Sequence, residues 1–302
     1  MKIGILGYGS IGRRHYFNLE ELGHDVSFYD PNIYGHPLTI REDILNWAEA
    51  IVVASPSINH AQDLMDAIDA GKHVLVEKPF GYDCPALLDG YLQGARHKWR
   101  KDHIITDQIV STGFNLRFHE CIKKAKELLP DIGEIQAAHF TVYQKTEKPE
   151  YLRDGIIRNW CSHEIDLAQY LLGPGIVTDC TTIPDDMTEA FIVMEFSTVK
   201  TKVFIQADYY SDPEQRFFWI AGTNGTIYVD LVKRNVFIRT KKGNPIPILS
   251  ASDNWDQNYL DEMSLFILSI ETGRHLAPLA TGEDGVSCLY RVMEAREKAG
   301  LE

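Results

Sequence analysis

Short apolar stretches alternate with amphipathic ones along the first hundred residues. Four of them have the length and composition of buried strands: "KIGIL" (2–6), "DVSFYD" (25–30), "AIVVAS" (50–55) and "HVLVE" (73–77). The segments near 11–22, 41–48 and 59–70 have the spacing of amphipathic helices. Strands that alternate with helices are typical of a parallel sheet with helices on both faces. The pattern therefore predicts an α/β, doubly wound domain over residues 1–115.

The pattern changes beyond residue 115, where longer strand-like segments follow one another with few helices between them. These segments are "EIQAAHFTVYQ" (134–144), "EAFIVMEFST" (189–198), "KVFIQADYY" (202–210), "RFFWIAG" (216–222), "GTIYVDLV" (225–232) and "VFIRT" (236–240). Short connections such as Thr223-Asn224-Gly225 favour antiparallel neighbours. We predict an α+β domain over residues 116–302 with one large, mostly antiparallel sheet. A last helix is expected from about Gly282 to Ala299.

Composition and charge argue against several classes of partner. A chain of 302 residues with 44% hydrophobic and 24% charged residues is typical of a folded protein with two domains. A formal net charge of −13 argues against general binding to nucleic acid or to an anionic membrane, because both need clustered Lys and Arg. The exception is "RHKWRK" (96–101), which we interpret as a solvated helix end.

Cysteine usage and hydropathy bear on where the protein works. The five cysteines are widely spaced and include no C-x-x-C pair, which favours a reduced, cytoplasmic protein without a metal site. The N-terminus shows no apolar core of a signal peptide, and no apolar run reaches the length of a membrane span. We therefore expect neither export by that route nor insertion into a membrane.

A glycine-rich loop follows the first predicted strand and precedes the first predicted helix. Its spacing, Gly7-x-Gly9-x-x-Gly12, is that of a dinucleotide-binding fingerprint. Gly7 suits the tight turn, Gly9 lets a pyrophosphate approach bare backbone, and Gly12 allows close packing of helix on strand. The loop residues expected to bind the cofactor are Gly7, Tyr8, Gly9, Ser10, Ile11 and Gly12.

Asp30 stands at the end of the second predicted strand, eighteen residues after Gly12. A carboxylate at this position can accept hydrogen bonds from ribose hydroxyls and repels a 2′-phosphate. The segment "DPNIYG" places no Arg or Lys beside it. The sequence therefore favours NAD over NADP, although Arg13 and Arg14 could each approach a phosphate.

Longer motifs carry a resemblance to a known family. The chain resembles the Gfo/Idh/MocA oxidoreductases in the following stretches: "GYGSIGRRH" (7–15), "SPSINHAQDLMDAIDAGKHVLVEKPF" (55–80), "GFNLRFHECIKKAKELL" (113–129), "SHEIDLAQYLLG" (162–173), "AGTNGTIYVD" (221–230) and "NYLDEMSLFILSI" (258–270). The resemblance implies an N-terminal Rossmann domain joined to an α/β domain with an open-faced sheet. It also implies association through that face, as a homodimer or homotetramer.

The same resemblance implies an activity and several site residues. Family members of this kind transfer a hydride between a nicotinamide and a hydroxyl or ketone of a sugar, sugar derivative or polyol. The lysine of their E-K-P motif, here Lys78, lies beside the nicotinamide and the reacting hydroxyl. Further residues expected at the cofactor are Ser55, Pro56, His60 and Glu77, with helix capping as an equal alternative for His60.

A physical interpretation of Lys78 agrees with the resemblance. Pro79 disfavours helical geometry at the residue before it, so Lys78 should leave the end of a parallel strand. Sheets of this class bind ligands beyond the carboxyl ends of their strands. An ammonium group there can hydrogen-bond a substrate oxygen and stabilise a developing alkoxide.

The stretch "NWCSH" (159–163) departs from the family pattern. Dehydrogenases of the family carry D-x-x-x-H at this motif, with the histidine as proton acceptor and donor; here the two positions are Asn159 and His163. Asn cannot hold a charge, so the pKa of His163 should be lower than beside an Asp, unless Glu164 or Asp166 substitutes. The alternative is a capped helix start, with Asn159 or Ser162 as N-cap. We expect His163 to be catalytic and Asn159 to orient it or the substrate.

Asn115 and Arg117 in "FNLRF" complete the set of candidate residues. We expect them to alternate along a strand and point the same way, with Arg117 holding either a substrate anion or a structural carboxylate. Lys78, Asn159 and His163 are the other expected substrate contacts. Two alternatives to a simple dehydrogenase stay open: an NAD-using glycosidase or epimerase that oxidises its substrate transiently, and a non-catalytic nucleotide-binding regulator.

Overall fold

The structure is a computed structural model in which two compact units can be distinguished. It describes residues 1–33, 40–82, 84–90, 92–93, 108–146, 154–182, 188–241, 243–250 and 255–301. The first unit comprises residues 1–118 and 255–289, and the second comprises residues 119–254 and 290–302. This division differs from a single boundary at 115/116, because a C-terminal segment belongs to the first unit. The basic stretch at 96–101 lies outside the described residues.

Strands and helices with the following bounds form the framework of the described residues. The strands are β1 Lys2–Leu6, β2 Asp25–Tyr29, β3 Ala50–Val53, β4 His73–Glu77, β5 Val110–Gly113, β6 Ile135–Tyr143, β7 Gly175–Thr182, β8 Glu189–Phe196, β9 Thr201–Asp208, β10 Gln215–Gly222, β11 Gly225–Asp230, β12 Asn235–Thr240, β13 Ile246–Ser250 and β14 Ala280–Thr281. The helices are α1 Ser10–Glu21, α2 Arg41–Trp47, α3 His60–Asp69, α4 Glu120–Leu128, α5 Ser162–Leu172, α6 Trp255–Thr272 and α7 Gly282–Lys298. Short 3₁₀ segments cover Ser57–Asn59, Asn115–Phe118 and Leu129–Ile132, and a π-helical turn covers Ile157–Cys161.

The first unit is built on a six-stranded sheet in the order β14-β5-β4-β3-β1-β2. All neighbours from β2 to β5 pair in parallel, and only the short edge strand β14 runs antiparallel. The connection after β1 leads to β2 at one edge of the sheet, whereas the connection after β3 leads to β4 in the opposite direction. The sheet therefore has a topological switch point between β1 and β3. The doubly wound parallel sheet predicted from the alternation of strands and helices is confirmed.

Helices cover both faces of this sheet because its strands are apolar on both sides. On one face, Ile3, Ile5 and Val52 pack with Leu19 of α1 and Phe266 of α6 in a single buried cluster. On the other face the fit is close enough that a side chain at Gly4 would meet Ile44 of α2. The segment 255–289 therefore contributes to the core of the first unit.

The second unit is built on an eight-stranded sheet in the order β13-β12-β11-β10-β6-β9-β8-β7. Its neighbours are antiparallel except β6 and β9, which pair in parallel. The predicted large, mostly antiparallel sheet is confirmed. Burial alternates along β8 and β9, so one face is buried and the other is open. The open face exposes Phe191 and Phe204, and His139 contacts Phe204 and Trp219 there.

The helix that carries Asn159 and His163 begins earlier than expected. Residues 154–156 are α-helical, the π-helical turn follows, and α5 continues to Leu172. The predicted capped start at Asn159 or Ser162 is therefore wrong, because both residues already have helical backbone on each side. The Ser162 hydroxyl instead donates to the Asn159 carbonyl oxygen at 3.0 Å, which is a local bond within a helix and not an N-cap.

Candidate functional site

The glycine loop between β1 and α1 has the close contacts that its spacing predicts. Gly7 has a φ of +93°, and a Cβ atom there would lie 2.6 Å from the carbonyl oxygen of Ala54 and from the backbone of Ser55. A Cβ atom on Gly12 would overlap the carbonyl oxygen of Gly7. Both positions therefore require glycine for reasons internal to the fold: the turn, and the packing of α1 on the strand ends.

Gly9 differs from its two neighbours in the motif, and its surroundings fit a ligand. A Cβ atom on Gly9 would meet no atom of the described chain within 4 Å, and Gly9 and Ser10 are exposed. No side chain of the described residues caps the N-terminus of α1. Open space beside the N–H groups at the start of a helix suits a pyrophosphate. The residues present thus fit a dinucleotide.

Asp30 follows β2 and reaches the glycine loop directly. Its Oδ2 atom accepts the backbone N–H of Tyr8 at 2.9 Å, and its Oδ1 atom accepts that of Asn32 at 2.9 Å. Each carboxylate oxygen can accept more than one hydrogen bond, so both retain capacity for hydroxyl donors. Sequence spacing alone therefore identified a carboxylate that lies beside the fingerprint loop.

The loop after β3 is held by α3. The Ser55 hydroxyl donates to the Asp63 carboxylate at 2.6 Å, while Pro56 is exposed. Both ring nitrogens of the buried His60 face carbonyl oxygens, that of Ser55 at 2.7 Å and that of Pro79 at 2.7 Å. His60 thus neither caps the helix through its side chain nor offers a ring nitrogen to a cofactor. Carbonyl oxygens only accept, so the tautomer of the ring decides which of the two contacts is a hydrogen bond, and the ring lies between the loop after β3 and the turn after β4.

Glu77 and Lys78 lie where β4 ends. Glu77 is buried, and its Oε1 atom lies 2.6 Å from Nε2 of His15 on α1. Its Oε2 atom accepts the backbone N–H of Lys78 at 3.2 Å. Lys78 is half-buried, and the peptide bond that joins it to Pro79 is cis. Each carboxylate oxygen of Glu77 thus has one contact within the fold, and a role of Glu77 at a cofactor stays a prediction. Lys78 follows the carboxyl end of the strand as predicted.

The prediction for Asn115 and Arg117 is wrong in its geometry. The two residues lie in the 3₁₀ segment after β5, and residues two apart in such a helix do not share a face. Arg117 is buried, and its Nη1 atom donates to Oδ2 of Asp284 at 3.1 Å. Of the two expected partners for Arg117, the structure therefore contains the structural carboxylate. Asn115 is buried as well.

Asn159 and His163 lie in the second unit on one continuous helix. Asn159 occupies the π-helical turn, His163 lies in the first turn of α5, and both are buried. Side chains four residues apart on a helix are neighbours, which agrees with the expectation that the two act together. A π-helical turn inside a helix is rare and is frequently found at functional sites.

Glu164, one of the two carboxylates considered as a substitute for the missing Asp, is engaged elsewhere. Its Oε1 atom accepts a hydrogen bond from Nε of Arg216 on β10 at 2.8 Å and lies 2.7 Å from Nη2. Both side chains are buried, and the Arg216 guanidinium lies 5.7 Å from the centre of the Trp160 ring. Glu164 therefore pairs with a buried arginine, whose positive charge opposes the effect of the carboxylate on neighbouring groups.

Three residues near these sites were not identified from the sequence. His15 could have been suspected, because it follows Gly12 by three residues and so lies on the buried side of α1. Gly113 and Arg216 carried no usable signal, since their partners Glu77 and Glu164 are distant in sequence. A Cβ atom on Gly113 would lie 3.2 Å from the carboxyl carbon of Glu77, so glycine makes room for that carboxylate.

Cysteine, metal and membrane features complete the description. All five cysteines are free thiols, and burial, with the charge of Glu164, raises the pKa of Cys161 well above its usual value, so this thiol is not activated. Among the described residues, no group of three or more His, Cys, Asp or Glu side chains could hold a metal ion. Over the same part of the chain, none of the helices has the length and apolar character to cross a membrane.

Comparison with known proteins agrees with the fold and the glycine loop. Residues 1–87 match a family model described as an oxidoreductase family with an NAD-binding Rossmann fold. Myo-inositol 2-dehydrogenase of Thermotoga maritima is 25% identical to this chain, over 96% of the chain and 93% of that protein.

Solved structures extend the similarity of fold over the whole chain. Levoglucosan dehydrogenase in complex with NADH and levoglucosan has a TM-score of 0.85 at 17% identity, covering 99% of this chain and 97% of that one. UDP-N-acetylglucosamine 3-dehydrogenase from Acidithiobacillus ferrooxidans has a TM-score of 0.82 at 19% identity, with the same coverage. The family model over residues 1–87, the full-length relative and the motifs through "EKP" agree with the resemblance of this chain to the Gfo/Idh/MocA oxidoreductases.

Proposed function

We propose that this protein is an NAD-dependent oxidoreductase that transfers a hydride between nicotinamide and a hydroxyl or ketone of a sugar, sugar derivative or polyol. The observation that carries the proposal is the glycine loop, where open space at Gly9 adjoins the uncapped start of α1. The relative named as a myo-inositol 2-dehydrogenase and the structural neighbour named as a levoglucosan dehydrogenase support a polyhydroxylated substrate.

Asp30 supports the choice of NAD. Its two carboxylate oxygens are fixed by the backbone N–H groups of Tyr8 and Asn32, so the side chain has a defined position beside the loop. A carboxylate fixed there accepts hydrogen bonds from a ribose diol and repels a 2′-phosphate. We expect the ratio of kcat/KM for NAD to that for NADP to exceed unity, and Asp30→Ser to reduce it.

Three side chains are proposed to act on the substrate. A bound nicotinamide supplies the hydride acceptor or donor. Lys78 donates a hydrogen bond to the reacting oxygen and stabilises negative charge that develops on it. His163 takes the proton of the hydroxyl during oxidation and returns it during reduction. Asn159, which cannot hold charge, orients His163 or a substrate hydroxyl through its amide.

The first experiment measures turnover with a panel of inositols, other polyols and sugars at fixed NAD concentration. Net formation of NADH, followed by absorbance, supports the dehydrogenase. Turnover of substrate without net NADH would indicate transient oxidation, as in a glycosidase or epimerase. Binding of NAD without turnover of any member of the panel would indicate a nucleotide-binding regulator and would contradict the proposal.

The second experiment tests the residues, with control variants from the same unit. Lys78→Met and His163→Ala should each lower kcat by a factor of about 100 or more, as expected for loss of a proton-transfer or oxyanion-stabilising group. The control for Lys78 is Lys72→Met, because the Lys72 ammonium donates to the Ala48 carbonyl oxygen, away from the carboxyl end of β4. The control for His163 is His139→Ala in the second sheet, compared at the same oligomeric mass as the wild type because His139 contacts Phe204 on the open face. An unchanged kcat in His163→Ala would remove its role.

Self-association through the open face of the second sheet is part of the proposal. Phe204 is 47% exposed and Ile176 is 53% exposed on a sheet that a monomer would leave unprotected. We propose that the protein forms a homodimer or homotetramer through this face. Light scattering of the wild type and of Phe204→Asp tests this: a monomeric wild type, or a Phe204→Asp variant with an unchanged mass, would contradict it.

A further inference from the structure

The turn that carries Lys78 is anchored on both sides by buried histidines. Before Lys78, Glu77 contacts Nε2 of the fully buried His15, which belongs to α1. After Lys78, the carbonyl oxygen of Pro79 lies 2.7 Å from Nδ1 of the buried His60, which belongs to α3. Helices α1 and α3 are different helices of the first unit, so the turn is held from two independent elements.

Glu77 transmits the first anchor to the backbone of Lys78. A carboxylate accepts only, so Nε2 of His15 donates to Oε1 of Glu77 across 2.6 Å. The Oε2 atom of the same carboxylate accepts the Lys78 N–H. Gly113 lacks the side chain that would crowd this carboxyl group. The position of the carboxylate is thus fixed by its donors and by the space left for it.

Other charged and titratable groups surround the first anchor. The Tyr259 ring of α6 lies 6.0 Å from the His15 ring, edge to face, and burial together with the charge of Glu77 raises the pKa of Tyr259. The Arg14 guanidinium lies 4.6 Å from the centre of the Tyr259 ring and pairs with Asp256. Tyr259 thus packs against the ring of His15, and Arg14 and Asp256 are the charged groups next to Tyr259.

The second anchor links Lys78 to the loop after β3. Nε2 of His60 faces the Ser55 carbonyl oxygen at 2.7 Å while Nδ1 faces that of Pro79. The backbone of Ser55 lies close to Gly7 of the glycine loop: a Cβ atom added to Gly7 would be 2.6 Å from the Ser55 backbone. The position of Lys78 is therefore coupled to both loops that flank the expected cofactor position.

We propose that His15 and His60 form a two-histidine clamp, consisting of His15 with Glu77 and His60 with the Pro79 carbonyl, that holds Lys78 in its working orientation. The two histidines are positioning residues for the reaction under "Proposed function", on which this inference rests. They act through the backbone on either side of Lys78. A displacement of a reacting group by about 1 Å can cost a factor of about 100 in rate.

The test compares apolar and donor-retaining substitutions at the two positions. His15→Leu and His60→Leu should lower kcat by a factor of about 10 to 100, with KM for NAD changed less than about threefold. His15→Gln, whose amide can still donate to Glu77, should recover a large part of the loss. The control is His73→Gln at the other end of β4, where the histidine accepts the Ile109 N–H and lies away from the turn that carries Lys78. It should leave kcat unchanged.

A readout that needs no turnover separates this inference from the proposed function. The free protein is reductively methylated with ¹³C, and the Lys78 resonance is assigned with Lys78→Arg. In the wild type we expect a dispersed signal for Lys78, and in His15→Leu and His60→Leu a shift towards the signals of exposed lysines. A wild type without turnover but with this shift would contradict the function and support the clamp. An unmoved Lys78 signal in both leucine variants, or an equal loss of kcat in His73→Gln, would overturn the clamp.

Discussion

Loss of one partner of the buried pair Glu164–Arg216 is expected to destabilise the second unit more than loss of both partners. The pair connects α5, which carries His163, to the large sheet. The Glu164 side chain is 2% exposed and that of Arg216 is 8% exposed. When one partner is removed, solvent therefore does not hydrate the charge of the one that remains. Glu164→Leu leaves a buried guanidinium, and Arg216→Leu leaves a buried carboxylate.

The magnitude follows from the geometry. Two unit charges about 4 Å apart attract by about 4 kcal/mol at an effective dielectric constant of about 20, a value that suits partly relaxed protein sites. Desolvation of both ions offsets most of this attraction in the intact pair. Removal of one ion abolishes the attraction but keeps the desolvation of the other, so each single variant should lose about 3–5 kcal/mol of unfolding free energy. The double leucine variant should lose less than about 2 kcal/mol, because neither charge is then buried.

Urea unfolding of the wild type, both single variants and the double variant measures the cycle. Tryptophan fluorescence is a suitable signal, because Trp160 lies beside the Arg216 guanidinium. The same cycle at Lys202–Glu195, a pair on neighbouring strands with side chains 60% and 46% exposed, is the control and should give less than about 1 kcal/mol of coupling. Single variants that lose less than about 1 kcal/mol, or a double variant that loses the sum of the two, would refute the reasoning.

Three further predictions concern other parts of the structure. Gly12→Ala should weaken NADH binding and lower the free energy of unfolding by about 1–3 kcal/mol through overpacking. Gly9→Ala should weaken NADH binding with a smaller loss of stability, because its Cβ atom meets open space. Fluorescence titration measures NADH binding, and thermal unfolding measures the stability of the two variants. Burial lowers the pKa of His73, whose Nδ1 must be unprotonated to accept a backbone N–H. Stability should therefore fall as pH drops below about 6.5, and the fall of Tm with pH should be smaller in His73→Gln than in the wild type. An equal fall of Tm in both proteins would contradict this. Asn159→Asp should raise the pKa of His163 and move the acidic limb of the kcat profile to higher pH; an unmoved limb would argue against contact between the two side chains.

Strong periodic patterns predicted most of the framework. The strands "KIGIL" and "HVLVE" agree with the structure residue for residue, because short apolar runs rich in β-branched residues and bounded by turn signals are typical of strands buried on both faces. The strands β5, β7, β13 and the two-residue β14 were missed. Their sequences, such as "VSTG" and "IPILS", are short, mix polar with apolar residues or contain proline.

Long-range partnerships could not be predicted in the same way. A continuous boundary at 115/116 places residues 255–289 in the second domain, whereas in the structure they belong to the first unit; the pattern of a helix does not say which sheet it covers. The bond of Arg117 to Asp284, which is 167 positions away, has no signal in the local sequence either. By contrast, the glycine loop and Asp30 were found from the sequence because fixed spacing within one β-α-β unit determines where these residues lie.

The position of Asn159 now has a structural context that narrows its role. An Asp at this position would add a negative charge on the turn that precedes His163. Glu164 does not supply that charge, because the charge on its carboxylate is compensated by Arg216. The helix departs from α geometry at Asn159, and the Asn159 carbonyl oxygen accepts a hydrogen bond from the Ser162 hydroxyl, so residue 159 lies inside the helix and has no N-cap role. A neutral amide at this position can orient a hydroxyl or an imidazole but cannot stabilise an imidazolium by charge. The difference between Asn and the Asp of the family motif therefore bears on the proton transfer proposed for His163, whereas the glycine loop belongs to the first unit.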